Sequence, residues 1–305
     1  MSMIKSKLRP WLRALKKTDL VWRYGLNLDP TISYWKSGQR LSPFQKDLVG
    51  ELDQNGVAIR TIDEVFENSG SWRELEKGVS DLIADKADDI SRLKANADNV
   101  SIGDKTFNLE CLDSKVTVDP TSVFARTALH PDLLAIANGY LGMLAKMRYY
   151  NVWYTAASSS RPRESQLWHY DREDNYILKV FLYLDDVDQG TGPFTYAPGT
   201  HRKGKLRSAN PEFAIEGGVR RTTDEQMSAV IPESEWIRGT GKKGTIIFAD
   251  TRGYHKGGEA RTRDRLMFTC MYTSPASESQ ELLYIPTDMD KSTLSRYQLG
   301  ALGYR

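Results

Sequence analysis

Leu167-Trp168-His169-Tyr170-Asp171 is the stretch of this chain that says most about its fold and chemistry. Side chains alternate along a β-strand, so His169 and Asp171 share one face if this stretch is extended. A second imidazole, His255, follows the apolar residues 245–249. Two imidazoles and one carboxylate on one side of a metal, with the other positions open, form the facial site of non-haem Fe(II) oxygenases. The three residues are therefore candidate iron ligands.

The chain has only four histidines, so the alternatives are few. His130 begins a predicted helix, where it is expected to cap the helix or to face solvent and not to bind metal. His201 ends a turn after a predicted strand and competes with His255 as the second imidazole. His255 is favoured because it lies between two predicted strands, the second of which begins with an arginine. On residue identity alone, His169 could equally be a strand histidine that is hydrogen-bonded to its neighbour.

Arg265, at the head of that second strand, strengthens the metal interpretation. A guanidinium pairs bidentately with a carboxylate. It could hold the far carboxylate of a dicarboxylic co-substrate such as 2-oxoglutarate, while the 2-oxo acid end chelates iron. Lys179, in the predicted strand 177–184, is the alternative cation. Arg263 is expected to be a solvated turn residue.

Two aromatic residues, Tyr154 and Trp168, flank the predicted site. We expect them to shape the co-substrate or substrate pocket, although aromatic residues on strands are more often plain core.

Composition restricts the class of protein. The 305 residues allow one large domain with extensions, and a formal charge of +2 argues neither for nor against nucleic acid. No basic groove interleaved with aromatic residues is evident, so no nucleic-acid partner is expected. Cys111 and Cys270 are too few and too far apart for a disulfide framework. The absence of a secretory signal and of a membrane-spanning stretch predicts a cytoplasmic protein.

The first half of the chain is predicted to be helical for the most part. Residues 1–40 form a basic arm in which Trp11, Leu12 and Leu15 have helical spacing. Such a helix can lie on a membrane surface, but packing on the catalytic domain is the favoured interpretation. Ser42 is expected to cap a helix that ends before Gly56. The segments that follow are predicted as a strand (57–62), a helix (74–97), a strand (100–112) and a helix that begins at His130.

From Met147 onward the pattern changes to successive short strands. They are predicted at 148–156, 166–170, 177–184, 194–197, 245–249 and 266–272. Helices followed by consecutive strands indicate a mainly β fold, with an antiparallel double sheet and flanking helices. The predicted domain covers 41–280, with a lid insertion at about 202–243 and a C-terminal extension at 281–305.

Together these motifs resemble the phytanoyl-CoA dioxygenase-like family of Fe(II)/2-oxoglutarate-dependent oxygenases. The resemblance runs from about Ser42 to Thr273. The motifs that carry it are Trp168-His169-Tyr170-Asp171, Gly192-Pro193-Phe194, Pro198-Gly199-Thr200-His201, and His255 with Arg265. It implies a double-stranded β-helix (jelly-roll, cupin-like) core, iron on His169, Asp171 and His255, and 2-oxoglutarate on Arg265. Some members of that family use a strand lysine instead, which keeps Lys179 open.

The resemblance also implies the reaction. With 2-oxoglutarate and O2, the expected activity is hydroxylation of an unactivated C–H bond in a small molecule. Desaturation, epoxidation and cyclisation use the same ligands, and a jelly-roll module that only binds is a further alternative. An anionic substrate is a hypothesis, because basic residues are frequent in the lid, although the acidic residues among them favour solvated loop charges at least as well. The basic residues are Arg202, Lys203, Lys205, Arg207, Arg220, Arg221, Lys242 and Lys243.

Overall fold

The computed structural model describes residues 18–66, 69–99, 107–216 and 218–304. Its strands are β1 (Val57–Thr61), β2 (Asn108–Glu110), β3 (Val116–Thr117), β4 (Lys146–Thr155), β5 (Leu178–Tyr183), β6 (Thr195–Tyr196), β7 (Ala214–Glu216), β8 (Val219–Arg221), β9 (Ile237–Arg238), β10 (Thr245–Asp250), β11 (His255–Lys256), β12 (Arg265–Thr273) and β13 (Leu283–Tyr284). Its α-helices are α1 (Asp19–Val21), α2 (Leu28–Ser37), α3 (Pro43–Asn55), α4 (Ile62–Val65), α5 (Ser69–Asp85), α6 (Ala87–Asn96), α7 (Val123–Ala128), α8 (Pro131–Leu141), α9 (Asp224–Ser228) and α10 (Arg296–Ala301).

Two antiparallel sheets form the centre of the protein. The large sheet has the order β1-β10-β5-β12-β4-β2, and the small sheet has the order β11-β6-β9. Isolated pairings of His169 with His255 and of Trp168 with Thr222 extend the small sheet beyond β11. This arrangement, with helices on the outer face of the large sheet, confirms the predicted jelly-roll core.

Strands β5 and β12 show how alternation divides the large sheet into two faces. One face joins the helices in the main apolar core and contributes Leu178, Val180, Leu182, Phe268, Cys270 and Tyr272. The other face contributes Phe181, Tyr183 and Met267 to a second cluster, where they meet Phe194 and Tyr196 of the small-sheet side. The second face is therefore the inside of the jelly roll. Cys270 and Cys111 are buried free cysteines.

Helix α3 has the predicted ends. The Ser42 side chain accepts a hydrogen bond from the Gln45 backbone, and the Gln45 side chain accepts one from the Ser42 backbone N–H. Gly56 ends the helix with φ of 80°, a conformation that glycine adopts at low cost. It also lies so close to the second cluster that a Cβ atom there would be 2.3 Å from the Tyr196 hydroxyl. The His130 side chain likewise caps α8, as expected.

Three sequence predictions differ from the structure or lie partly outside it. The predicted helix 74–97 is two helices, α5 and α6, because the chain turns at Lys86. Of the predicted strand 100–112, only β2 is a strand among the described residues. The helix predicted around Trp11 lies outside the described residues. None of the helices that the structure describes is both long and apolar enough to cross a bilayer.

The described part of the arm packs on the rest of the domain, as the favoured interpretation expects. Trp22 is buried, and its indole Nε1 donates to Asp174 Oδ1 at 2.6 Å. Asp174 Oδ2 also accepts from the Ser274 backbone at 2.7 Å, next to the end of β12. The arm thus supports the loop that follows Asp171.

Candidate metal centre

His169, Asp171 and His255 converge because two chain segments pair beside β11. The His169 N–H donates to His255 O at 3.0 Å, and the His255 N–H donates to His169 O at 2.9 Å. The imidazole centroids are consequently 4.4 Å apart. Asp171 is held two residues further on, where its N–H donates to Thr251 O at 2.8 Å. The candidate ligand atoms of the three side chains all lie within 4.8 Å of one another.

The segment around His169 is less regular than the strand predicted over 166–170. Glu164–Gln166 is a short 3-10 helix, and the Gln166 side chain accepts from the Arg163 N–H. This turn ends the regular pairing, so only Trp168 and His169 pair as in a sheet. His169 and Asp171 still reach the same cavity, as alternation predicts.

Backbone carbonyls fix which nitrogen of each imidazole carries the proton. His169 Nδ1 lies 2.8 Å from Leu167 O, and His255 Nδ1 lies 3.0 Å from Gly253 O. A carbonyl can only accept, so each Nδ1 is the donor and each Nε2 keeps its lone pair. Neither Nε2 has a hydrogen-bond partner among the described residues. Burial lowers the pKa of both imidazoles, that of His169 most strongly, which favours the neutral form that binds metals.

Asp171 provides an ionised carboxylate next to the imidazoles. Lys179 Nζ lies 2.6 Å from Asp171 Oδ2, but Oδ2 accepts no well-directed hydrogen bond, so this contact is an ion pair. Burial alone would raise the pKa of Asp171, but the adjacent Lys179 ammonium outweighs burial and lowers this pKa. Two neutral imidazole nitrogens and a buried carboxylate oxygen without a directed donor fit a divalent iron ion.

A cavity of about 570 Å³ opens beside these three residues. It lies between the two sheets, and its floor is the inner face of β4, β5 and β12. Its apolar lining includes Trp153, Phe181, Phe194, Met267 and Met271. Its cationic lining consists of Arg172, Lys179, Arg221 and Arg265. Its acidic lining consists of Glu110, Asp171 and Glu173. The cavity can therefore hold a small organic molecule, and its cations provide positions at which negatively charged groups could bind.

Arg265 brings an uncompensated charge into this cavity. It is only 5% exposed, and its Nε has no hydrogen-bond partner among the described residues. Within the same part of the chain, its guanidinium makes one hydrogen bond to a side chain, a long one from Nη2 to Thr155 Oγ1 at 3.5 Å. It forms no ion pair with any residue that the structure describes. Burial lowers the pKa of Arg265, but a guanidinium remains protonated. By contrast, Arg263 is half exposed and pairs with Asp188 at 2.9 Å, as predicted for a turn residue.

The predicted pocket roles of Tyr154 and Trp168 need correction. Tyr154 packs on the helix side of the sheet, and its hydroxyl donates to Asp264 Oδ2 at 2.6 Å. Trp168 is fully buried against Trp236, and its Nε1 donates to Asp224 at 2.7 Å. Alternation explains both, because their neighbours Trp153 and His169 are the residues that face the cavity.

His201, the competing imidazole, lies elsewhere. It is fully buried, and its Nε2 is 3.2 Å from Asp53 O, near the end of α3. It is not part of the group formed by His169, Asp171 and His255.

Most basic residues of the predicted lid do not face the cavity. Arg202, Lys203, Lys242 and Lys243 form ion pairs with Asp19, Asp53, Asp186 and Glu76. Lys205 and Arg207 are exposed, and Arg220 stacks on Phe213. Of these eight cations, only Arg221 lines the cavity. The sequence carries no signal that separates Arg221 from Arg220, because the direction of β8 depends on distant pairing with Trp168.

The chain matches one protein-family model, described as phytanoyl-CoA dioxygenase (PhyH), over residues 78–267. Among solved structures, it is similar to EctD from S. alaskensis with bound Fe, with 19% identity over 85% of this chain and 93% of that chain and a TM-score of 0.52. The apoform of EctD has 19% identity to this chain over an alignment that covers 87% of each chain, with a TM-score of 0.51.

A third solved structure is the epimerase SnoN in complex with Fe3+, alpha ketoglutarate and nogalamycin RO. It has 17% identity to this chain, covers 75% of this chain and 83% of its own, and has a TM-score of 0.46. No curated protein matches the chain. At its level of identity, the likeness to EctD shows the fold.

Proposed function

The chain belongs to the phytanoyl-CoA dioxygenase family of Fe(II)- and 2-oxoglutarate-dependent oxygenases, and on that premise we propose that it hydroxylates an unactivated C–H bond of a small organic molecule. Iron is the cofactor, and 2-oxoglutarate and O2 are the co-substrates. Bound iron supplies the oxidising chemistry, while the protein positions the reactants and shields them from water.

We assign the iron to His169, Asp171 and His255. The observation that carries this assignment is the fixed protonation of the two imidazoles. Because Leu167 O and Gly253 O each hold an Nδ1 proton, both Nε2 lone pairs are available beside the Asp171 carboxylate. Burial keeps both rings neutral, so a metal ion does not have to displace a proton from them.

We assign the far carboxylate of 2-oxoglutarate to Arg265. Its buried guanidinium has no anionic partner among the described residues, and it lines the same cavity as the iron ligands. Lys179 is the less suitable anchor, because its ammonium is already paired with Asp171. In this assignment Lys179 instead keeps the Asp171 carboxylate ionised.

An anaerobic titration tests the assignment of iron and co-substrate. Adding Fe(II) and 2-oxoglutarate to the wild-type protein should produce the visible charge-transfer band of the chelate. His169→Ala should abolish the band, whereas His201→Gln, which alters a buried imidazole outside the site, should retain it. A band that survives in His169→Ala would overturn the ligand assignment.

The reaction type needs a separate measurement. Incubation of the loaded enzyme with a metabolite extract and isotopically labelled dioxygen should yield a product that has gained one labelled oxygen atom. A product that has lost two hydrogen atoms and gained no oxygen would indicate desaturation or cyclisation instead. If the wild type forms no succinate beyond an Asp171→Ala control, a binding module without catalysis becomes the better interpretation.

A further inference from the structure

Arg221, at the end of β8, is a buried cation whose hydrogen-bonding capacity is only partly used. The residue is 7% exposed, and Nη2 lies 3.1 Å from Glu164 Oε2. The two other guanidinium nitrogens, Nε and Nη1, are buried and have no hydrogen-bond partner among the described residues. Burying such donors without an acceptor is unfavourable. The arrangement therefore leaves two buried donors that a bound ligand could satisfy.

The backbone places Arg221 firmly beside the metal centre. The next residue, Thr222, exchanges two hydrogen bonds with Trp168, each 3.0 Å long. Trp168 directly precedes His169, so β8 ends alongside the segment that carries an iron ligand. Arg221 lines the cavity together with His169 and His255. An acceptor bound to it would lie in the same chamber as the reacting centre.

Glu164 holds the Arg221 side chain in this position. Its own side chain is largely buried, with 12% exposure, and its backbone has φ of 50°, which is uncommon for a residue other than glycine. Such a conformation persists where the surrounding structure imposes it. The Glu164–Arg221 pair is thus a fixed element, and it leaves the Nε and Nη1 donors for a ligand.

The position of Arg221 separates it from the groups assigned to the co-substrate. Arg265 and Lys179 belong to β12 and β5 of the large sheet, whereas Arg221 lies next to the small-sheet side, beyond His169. The apolar wall of Phe181, Phe194 and Met267 lines the same cavity. A ligand that fits both the free donors of Arg221 and this apolar wall has a planar oxoanion and a hydrocarbon part.

Building on the proposed function, we propose that Arg221 is the anchor of the primary-substrate subsite and binds the carboxylate of a small organic acid. The fork of the guanidinium suits a carboxylate. The Glu164 pair fixes its direction, so that the hydrocarbon part of the acid extends towards the metal centre.

Matched pairs of ligands test this subsite. Hexanoate and hexanamide, and 3-phenylpropionate and 3-phenylpropanamide, differ in charge but hardly in shape. Calorimetric titration of the full-length protein should show that at least one carboxylate binds about tenfold or more tightly than its amide, which is the range of one charge-assisted contact. Arg221→Gln should reduce this preference to within about twofold. Arg220→Gln, which changes the neighbouring cation outside the cavity, should keep it.

A second variant covers the case in which Arg221→Gln does not fold, as judged by circular dichroism. Glu164→Gln keeps the guanidinium and removes its countercharge, so it should bind the carboxylates more tightly than the wild type does. If no carboxylate is preferred over its amide in the wild type, or if Arg221→Gln retains the preference, the proposal is overturned.

The same variants separate this proposal from the assignment of the co-substrate. Arg221→Gln should leave the midpoint of the 2-oxoglutarate titration of the charge-transfer band unchanged. A large shift of that midpoint would place Arg221 in the co-substrate site and overturn the subsite. Absence of the band in the wild type would count against the proposed function, while calorimetry of the metal-free protein would still report on Arg221.

Discussion

Lys179 Nζ lies 2.6 Å from Asp171 Oδ2, so the carboxylate assigned to iron is already paired with a cation. Burial alone would lower the pKa of Lys179, but the negative charge of Asp171 outweighs the effect of burial and raises the pKa of Lys179. The ammonium is therefore charged at neutral pH. It keeps Asp171 ionised, but it also repels an approaching metal ion. These two effects act in opposite directions on metal affinity.

Replacing Lys179 with methionine should tighten metal binding near neutral pH. The repulsion between two cations disappears, and the divalent ion itself then favours the ionised form of Asp171 in place of the ammonium. We expect a gain of about three- to tenfold. Calorimetric titration with Mn(II), a redox-stable substitute for Fe(II), measures it. Lys242→Met, at an exposed ion pair with Asp186, is the matched control. Weaker Mn(II) binding in Lys179→Met would mean that the ammonium supports the site by keeping the carboxylate ionised.

Arg265→Ala should raise the KM for 2-oxoglutarate by about 10- to 100-fold, which corresponds to about 1.5–3 kcal/mol for a lost hydrogen bond to a charged group. The measurement is succinate formation as a function of 2-oxoglutarate concentration. Arg263→Ala, which removes an exposed cation two residues away, should leave the KM within about twofold. If Lys179→Met raises the KM more than Arg265→Ala does, Lys179 and not Arg265 binds the far carboxylate of 2-oxoglutarate.

Local features of the structure could be predicted from the sequence because their causes are local. Ser42, Gly56 and His130 mark helix ends through hydrogen bonds with nearby residues. The shared direction of His169 and Asp171 follows from alternation along an extended segment. His255 and Arg265 are also predicted, first from their places beside predicted strands and then from the resemblance to the family, although their approach to His169 and Asp171 depends on pairing across the sheets.

Contacts between distant segments could not be predicted in this way. The direction of Arg221 depends on the pairing of Thr222 with Trp168, which only the folded chain reveals. The contact of Lys179 with Asp171 joins β5 to an irregular segment, and no local pattern announces it. Tyr154 illustrates the opposite error. It was expected near the site from its position in the sequence, although strand parity places Trp153 there instead.

Gly56→Ala should destabilise the protein, whereas Gly50→Ala in the same helix should stabilise it. Position 56 combines positive φ with a Cβ that would lie 2.3 Å from the Tyr196 hydroxyl, and we expect a loss of about 1–3 kcal/mol or more. No heavy atom comes within 4 Å of a Cβ at position 50, where alanine should gain about 0.5–1 kcal/mol. Urea denaturation measures both. Equal effects at the two positions would contradict this interpretation of Gly56.

Tyr140→Phe should cost stability in a pH-dependent way. The Tyr140 hydroxyl donates to Asp250 Oδ2 inside the core. Burial raises the pKa of Asp250 above its usual value, while the Tyr140 hydrogen bond partly offsets that rise. The folded protein therefore favours the protonated form of Asp250. The stabilisation that this preference gives is lost as the pH rises through the pKa of Asp250 in the folded protein. The Tyr140 hydroxyl favours the ionised carboxylate, so its removal should raise the pKa of Asp250 further. The loss of unfolding free energy should be largest at pH values above this pKa.

We therefore expect Tyr140→Phe to lose about 1–3 kcal/mol of unfolding free energy at neutral pH, the cost of removing a hydrogen bond from a buried charge. The loss should shrink as the pH falls through the pKa of Asp250, since the protonated carboxyl depends less on a donor. Urea denaturation at a series of pH values measures this trend. Tyr284→Phe, at a half-exposed residue on β13, should show little change at any pH. A loss in Tyr140→Phe that is constant with pH would assign the effect to packing and not to the charge of Asp250.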